Sequence, residues 1–344
     1  MATNATVKAA VQGSGQGTAA TTGFYCGILR EIENGIEAEY AEQVYEYSCA
    51  GANTRPTSQK SGDTLQVYAP VHTYSGFMYP DLIPIWLRGA GFAVTTTANT
   101  PVTGAHSHAF TIEDLANWDW LTVLHAMSDY EHRTVDARVA SLAFTDSQTE
   151  VSYSVGLVGL LENEATGSET STNETGARLL QRVSSGDGIA VTAGGELLVE
   201  TTPVTRPYQS HTFTITNDFT REPGLYTSVY SDLVPKMTVT GTLEGIEIDA
   251  DMYDVLWRGG IGNTSISQTP VTGSVVYSLE SSSYITGTTP YKITVNLASC
   301  GFKMGQNARA TGGEKIRTNL DYYMIDNTTT PLTITVINGV SSYS

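Results

Sequence analysis

Two blocks of this chain are near copies, and nothing else in the sequence constrains the fold as tightly. Ile85-Trp86-Leu87-Arg88-Gly89-Ala90-Gly91 precedes Thr100-Pro101-Val102-Thr103-Gly104. Val255-Leu256-Trp257-Arg258-Gly259-Gly260-Ile261-Gly262 precedes Thr269-Pro270-Val271-Thr272-Gly273. Arg88 and Arg258 are 170 residues apart and Pro101 and Pro270 are 169 apart, so one small indel relates the blocks. A repeat of that period in 344 residues implies two similar units, each long enough to bury a core. Strand-like text leads into both blocks, Leu65–Met78 in the first and Lys236–Met252 in the second. A further echo, Ser107-His108-Ala109-Phe110-Thr111-Ile112 against Ser210-His211-Thr212-Phe213-Thr214-Ile215, lies off this period and reads as two strands in similar surroundings.

Composition gives the class. Thr, Ser, Gly, Val and Tyr dominate, and charged residues are 15% against about 25% in average soluble proteins. β-Branched and aromatic side chains suit a pleated, half-buried surface. The expectation is an all-β fold with two tandem sandwich- or barrel-like domains, each flanked by one short helix. Residues 1–22 hold almost no bulky apolar residue and read as a flexible arm. Domain 1 then spans 23–162 and domain 2 spans 177–344. Residues 163–176 hold no large apolar residue and read as the linker. Asn34-Gly35 predicts a tight hairpin turn between Phe24–Glu33 and Ile36–Tyr47. Tyr79–Leu87 predicts a helix of a turn or two, limited by Pro84 in its interior and stopped by Gly89 and Gly91. Strands are expected at 107–112, 122–127, 137–144, 149–160, 189–192, 196–200, 211–215, 236–243, 275–279, 292–297 and 332–337.

Several functions lose ground on chemistry. Lys plus Arg is 18 and Asp plus Glu is 35, a net charge of −17 with no basic run, which argues against gripping nucleic acid. Cys26, Cys49 and Cys300 match no metal spacing and read as reduced thiols. The N-terminus lacks the apolar stretch of a signal peptide, and no stretch is long enough to span a membrane as a helix, so synthesis in a cytoplasm is expected. Gly13-Ser14-Gly15-Gln16-Gly17 has no strand before it and no Lys-Ser/Thr after it, so it is no phosphate loop. His106 and His108 share a strand face but lack a third metal ligand nearby. Asp119, Asp129 and Glu131 offer only a chance carboxylate pair. The sequons at Asn4, Asn173, Asn263 and Asn327 follow from a Thr-rich text. No catalytic residue, cofactor or metal is expected. Trp86 and Trp257 read as core anchors.

One feature stands above this background. Glu31, Glu33, Glu37, Glu39, Glu42 and Glu46 crowd one stretch that has no Lys or Arg between Arg30 and Arg55. Like charges this dense repel, so folding gives no reason to gather them, and a field-shaping role is the sharper reading.

The element order around the Trp/Arg-Gly blocks resembles the tube domain of siphophage tail tube proteins. That family has a sandwich-like β-domain with a short helix on its flank and a long loop between early strands. Its domains join side by side into rings, and the rings stack. Most members carry one domain and form hexamers; this chain resembles members with two fused domains, which form pseudo-sixfold trimers. The resemblance implies a structural protein of the virion tail. Its partners would be other copies of itself, the tape measure protein during assembly, and the tail terminator and distal tail proteins at the ends. Double-stranded DNA would pass through the lumen without specific binding, and no membrane would be involved. It further implies an acidic lumen, with the six glutamates as candidates of which some point inward. The polar stretch 50–63, with Thr54, Arg55, Gln59 and Lys60, would reach the adjacent ring, with 217–233, including Arg221 and Glu222, as its counterpart. A reading from another class is a secreted or surface β-sandwich adhesin that binds carbohydrate through exposed Tyr.

Overall fold

Alternating apolar and polar positions, with many β-branched and aromatic side chains among them, leave this chain little choice but extended backbone. The computed structural model describes residues 6–44, 60–98, 104–114, 117–127, 130–147, 150–164, 171–173, 179–182, 189–193, 196–199, 208–223, 230–247, 249–260, 262–269, 271–304, 316–326, 328 and 330–343. Strands dominate, with two short helices among the described residues, and the all-β class holds. The first half holds β1 (Thr6–Val11), β2 (Phe24–Val44), β3 (Lys60–Phe77), α1 (Ile83–Gly89), β4 (Phe92–Ala98), β5 (His106–Ile112), β6 (Leu121–Met127), β7 (Tyr130–Ser147), β8 (Val151–Val158) and β9 (Leu161–Glu164). Next come β10 (Ser171–Asn173), β11 (Leu180–Arg182), β12 (Ile189–Ala193), β13 (Glu196–Val199), β14 (Ser210–Asn217), β15 (Thr220–Pro223) and β16 (Tyr230–Val234). The chain continues with β17 (Met237–Glu247), α2 (Ala250–Arg258), β18 (Val271–Thr286), β19 (Thr289–Met304), β20 (Arg317–Met324) and β21 (Leu332–Asn338).

The first half closes on itself. β1 pairs β2, β2 pairs β3, β3 pairs β8, β8 pairs β7, β7 pairs β6, and β6 pairs β1, all antiparallel. Closure removes the free edges along that stretch. It also corrects the reading of residues 1–22 as a flexible arm. Thr6–Val11 is the closing strand, and Val7 and Ala9 are fully buried. Small side chains, which made this segment look coreless, are what the interior of a narrow barrel accommodates. The chain after β1 stays attached to the barrel. Gly17 N–H donates to Asp136 Oδ1 at 2.8 Å and Ala20 N–H donates to Thr122 Oγ1 at 2.8 Å.

α1 supplies the centre of the core. Ile83, Ile85, Trp86 and Leu87 are all buried, and the Trp86 ring stacks on Tyr74 with centroids 6.4 Å apart. The helix begins at Ile83, so Pro84 sits in the first turn and not in the interior; the missing N–H there costs no intrahelical bond. Gly91 follows with φ +93°, where a Cβ would meet the Trp118 ring at 2.2 Å.

The second half repeats the pairing order. The series β2–β3–β8–β7–β6–β1 has its match in β14–β17–β20–β19–β18–β12. α1 follows β3, and α2 follows β17. β9 pairs β7 beyond the span that β8 takes, as β21 pairs β19 beyond β20. Two differences stand out. Among the described residues β12 has no ladder with β14, so the second series stays open. The β4–β5 hairpin has no equivalent strand pair, since 262–269 holds no strand.

Hydrogen-bonded ladders also cross between the halves. β14 pairs β7 from Ser210↔Ser147 to Thr216↔Ser141, and β5 pairs β21 from Thr111↔Thr333 to His106↔Asn338. One apolar cluster runs from Val7 and Trp86 through Phe144 and Phe213 to Leu297 and Val336. The expected linker 163–176 is partly built into the sheet. Asn163 and Glu164 end β9, and Ser171–Asn173 pairs parallel with Phe24–Cys26 of β2; 165–170 and 174–176 lie outside the described residues.

Two turn expectations are corrected. Asn34 and Gly35 lie inside β2, opposite His72 and Val71, because β2 finds its partner in β3 and not in its own continuation. The polar stretch 217–233 is not structureless either: Thr220–Pro223 pairs with Tyr230–Val234 as a small hairpin.

Candidate functional site

The surface that sets this chain apart from a self-sufficient barrel is the far part of the β2–β3 ladder. β8 covers β3 only from Val71 to Phe77, whereas β3 pairs with β2 from Gly76 back to Lys60. β1 likewise covers β2 only up to Ile28. From Ile36 to Val44, β2 and β3 therefore run on as a ribbon with no third strand among the described ladders. A two-stranded ribbon alone is marginal in water and needs a neighbour.

This ribbon carries the acidic stretch. Glu31 and Glu33 are exposed. Glu37, Glu39 and Glu42 occupy β2 opposite Ala69, Val67 and Asp63. Glu46 lies outside the described residues, as do Thr54, Arg55 and Gln59. Lys60 opens β3, opposite Val44. Arg30, next to Glu31, pairs with Glu150 at 2.5 Å, so its charge is already matched by a carboxylate outside the acidic stretch. Arg221 and Glu222 lie on β15, opposite Leu233 and Asp232. The 45–59 connection and the β15–β16 hairpin occupy the same topological place, between the first two strands of each pairing series.

The duplicated positions have diverged. Trp86 is buried, while Trp257 is half-buried and stacks on Tyr253 at 6.1 Å, so only the first is a core anchor. Arg88 pairs with Asp119 and donates to the Tyr343 carbonyl, tying α1 to the chain's far end. Arg258 instead pairs with Asp254 one turn back, at 2.7 Å, and lies over the Tyr253 ring. Pro101 and Pro270 lie outside the described residues.

The joint between the halves is densely polar as well as apolar. Phe144 and Phe213 face each other across β7 and β14, centroids 5.9 Å apart. Asn217 Nδ2 donates to Val139 O at 2.9 Å and Ala90 O at 3.2 Å. Asn338 Nδ2 donates to Pro80 O at 3.0 Å, and its Oδ1 lies 3.1 Å from His108 Nε2. The off-period echo has its explanation here. In β5 and β14 alike, a His and a Phe two residues apart fill consecutive inward positions: His108 and Phe110, His211 and Phe213, all buried. His211 Nε2 lies 2.6 Å from the Tyr322 hydroxyl.

The carboxylates weighed for catalysis are not gathered. Asp119 is held by Arg88, Glu131 lies 3.8 Å from Lys8 Nζ, and Asp129 is outside the described residues. His106 stays 6.4 Å from His108, whose ring is committed to Thr96, Asn338 and Val340. Cys300 is buried, and burial pushes its thiol up to about 12. Among the described residues one group has the donor set of a metal site, His125, His132 and Glu162, which none of the sequence motifs singled out. No protein-family model matches this chain, and no curated protein matches it.

Proposed function

We propose that the chain is a structural subunit of a phage tail tube, adding head to tail into closed rings that stack around a DNA channel. The observation that carries this reading is the joint between the halves. β7 of the first half takes the outer edge of β14. In the repeated pairing order β14 holds the place of β2, and β19 holds that of β7. The corresponding edge of β2, past Ile28, has no partner among the described ladders. The contact made once inside the chain thus has a counterpart waiting: the end of β19 near Met304 in one copy, and the β2 edge from Leu29 onward in the next. Repeating one rotation through both joints closes a ring, and three copies give the pseudo-sixfold arrangement. An open edge and a bare ribbon are aggregation hazards in a monomer and assets in an assembly.

The acidic ribbon fits a channel wall. Cations on the wall would bind phosphates and slow a sliding duplex, whereas carboxylates repel it. Their reach is on the order of 8 Å at physiological salt, so they act only if they line the bore. Tape measure, terminator and distal tail proteins belong to the same reading as partners.

The test is native mass measurement and negative-stain imaging of purified protein at increasing concentration. Rings or tubes, with trimer as the repeating mass, are expected. Monodisperse globules at every concentration overturn the proposal and favour a self-contained binding module.

A further inference from the structure

We propose that His125, His132 and Glu162 form a binding site for a first-row divalent transition-metal cation of the zinc class, which staples one end of the first-half barrel. One nitrogen from each ring and one carboxylate oxygen lie within 4.8 Å of one another. The sheet places them. His125 and His132 are directly opposed across the β6–β7 ladder, and Glu162 on β9 is opposite Thr134, the next same-face position of β7. Opposed and diagonal neighbours on one face are held about 5–8 Å apart by backbone alone, so only rotamer adjustments are needed to converge.

One ring nitrogen of the cluster is buried and unsatisfied. His125 is 1% exposed, and its Nε2 has no hydrogen-bond partner. Its Nδ1 lies 3.0 Å from the Tyr74 hydroxyl. With the ring proton on Nδ1 and donated to the Tyr74 oxygen, the Nε2 lone pair is free to ligate, the arrangement by which an outer partner fixes a ligating histidine's tautomer. His132 Nδ1 lies 2.8 Å from Glu162 Oε1, so the remaining two donors already meet. His72 stands beside them, its Nε2 3.0 Å from the Thr134 hydroxyl and 3.9 Å from Glu162 Oε2. Lys8 Nζ lies 3.8 Å from Glu131 Oε1 on the β1 side.

The donors choose the class of metal. Two imidazoles and a carboxylate suit zinc and its neighbours, whereas calcium and magnesium call for mostly oxygen ligands. His132 and Glu162 keep 18% and 13% of their side chains exposed, which gives an entry path and room for a water as fourth ligand. The bound ion would join β6, β7 and β9. Metal binding here is independent of tube assembly.

The full chain, stripped with a chelator, is titrated with Zn²⁺ by calorimetry and with Co²⁺ by visible absorption. Expected are one equivalent per chain, an intense tetrahedral Co²⁺ spectrum, and a higher melting temperature with metal. His132→Asn and Glu162→Gln should each abolish saturable binding, with folding checked by near-ultraviolet dichroism. Tyr74→Phe should keep the stoichiometry and weaken affinity by about 10–100-fold. Folded wild-type protein that binds neither ion, a weak octahedral Co²⁺ spectrum, or binding unchanged in both folded ligand variants overturns the proposal. Should either ligand variant fail to fold, the wild-type Co²⁺ spectrum and stoichiometry decide.

Discussion

Asn217 is the sharpest place to ask whether the two halves depend on each other. It sits on β14 in the second half, is 3% exposed, and gives both amide hydrogens to first-half carbonyls. Ala90 O is at the end of α1, where helix carbonyls have no intrahelical donor. Val139 O is where the β7 register shifts against β8. Replacing Asn217 with Ala removes both bonds and leaves two buried acceptors unpaired; at about 1–2 kcal/mol each, the loss is about 2–4 kcal/mol. Asn217→Asp should be worse near neutral pH, because a carboxylate cannot donate and faces two carbonyl dipoles in a dry site. Such a group has a folded pKa raised above its unfolded value of about 3.9, so its penalty shrinks as pH falls toward that value. Urea denaturation of both variants and wild type near neutral pH and at about pH 4.5 reads this out, with the Asp-minus-Ala difference as the observable. Three of the four tryptophans, Trp86, Trp118 and Trp120, lie in the first half, so fluorescence reports that half while dichroism reports both. The two transitions should shift together. Equal stability of the Asn217→Asp and Asn217→Ala variants at neutral pH would refute the dry, donor-requiring site. A fluorescence midpoint that stays at the wild-type value while dichroism moves would refute the coupling of the halves.

Other outcomes follow from the same structure. Gly91→Ala should lower the melting temperature markedly, since φ is +93° and the new Cβ meets the Trp118 ring; a wild-type melting curve would show the turn to be relaxed. His108 is buried and its pKa is lowered first by desolvation, so wild type should lose stability as pH falls below about 6.5, the unfolded value. His108→Gln should lack that component in matched denaturation curves. Replacing Glu37, Glu39 and Glu42 with Lys should leave rings able to form but slow DNA ejection, measured by dye release from assembled particles; unchanged ejection would count against an acidic bore. Deleting Thr54–Lys60 should leave folding intact and block tube growth, seen by negative stain.

What the sequence made legible was whatever local chemistry determines. Alternation alone located β14, β17 and β21, and the Trp-Arg-Gly block located both helices. What it hid was decided by distant partners. Asn34-Gly35 has every feature of a turn, yet a ladder to a strand past the 45–59 connection overrides it. β1 looked featureless because Ala and Val suffice inside a narrow barrel. The candidate metal ligands come from three separate strands, and only the register assembles them. A partial signal existed: His125 and His132 flank Ser128-Asp129 symmetrically, and a hairpin there sets them opposite each other.

The ladder between β5 and β21 ties residues 106–112 to residues 332–338, and this orders events on the ribosome. While the chain is being made, β5 leaves one edge open for the whole time needed to synthesise the second half. Asn338 and Tyr343 arrive later still, to satisfy Pro80 and Arg88. A chain broken off before Leu332 would keep that edge bare and lack the bonds from Asn338 to Pro80 and from Arg88 to Tyr343, and contacts so distant in sequence form slowly even when both partners are present. Completion of the first half therefore waits on the second: the outer edge of β5 and the Pro80 carbonyl gain their partners only once residues 332–338 have been made.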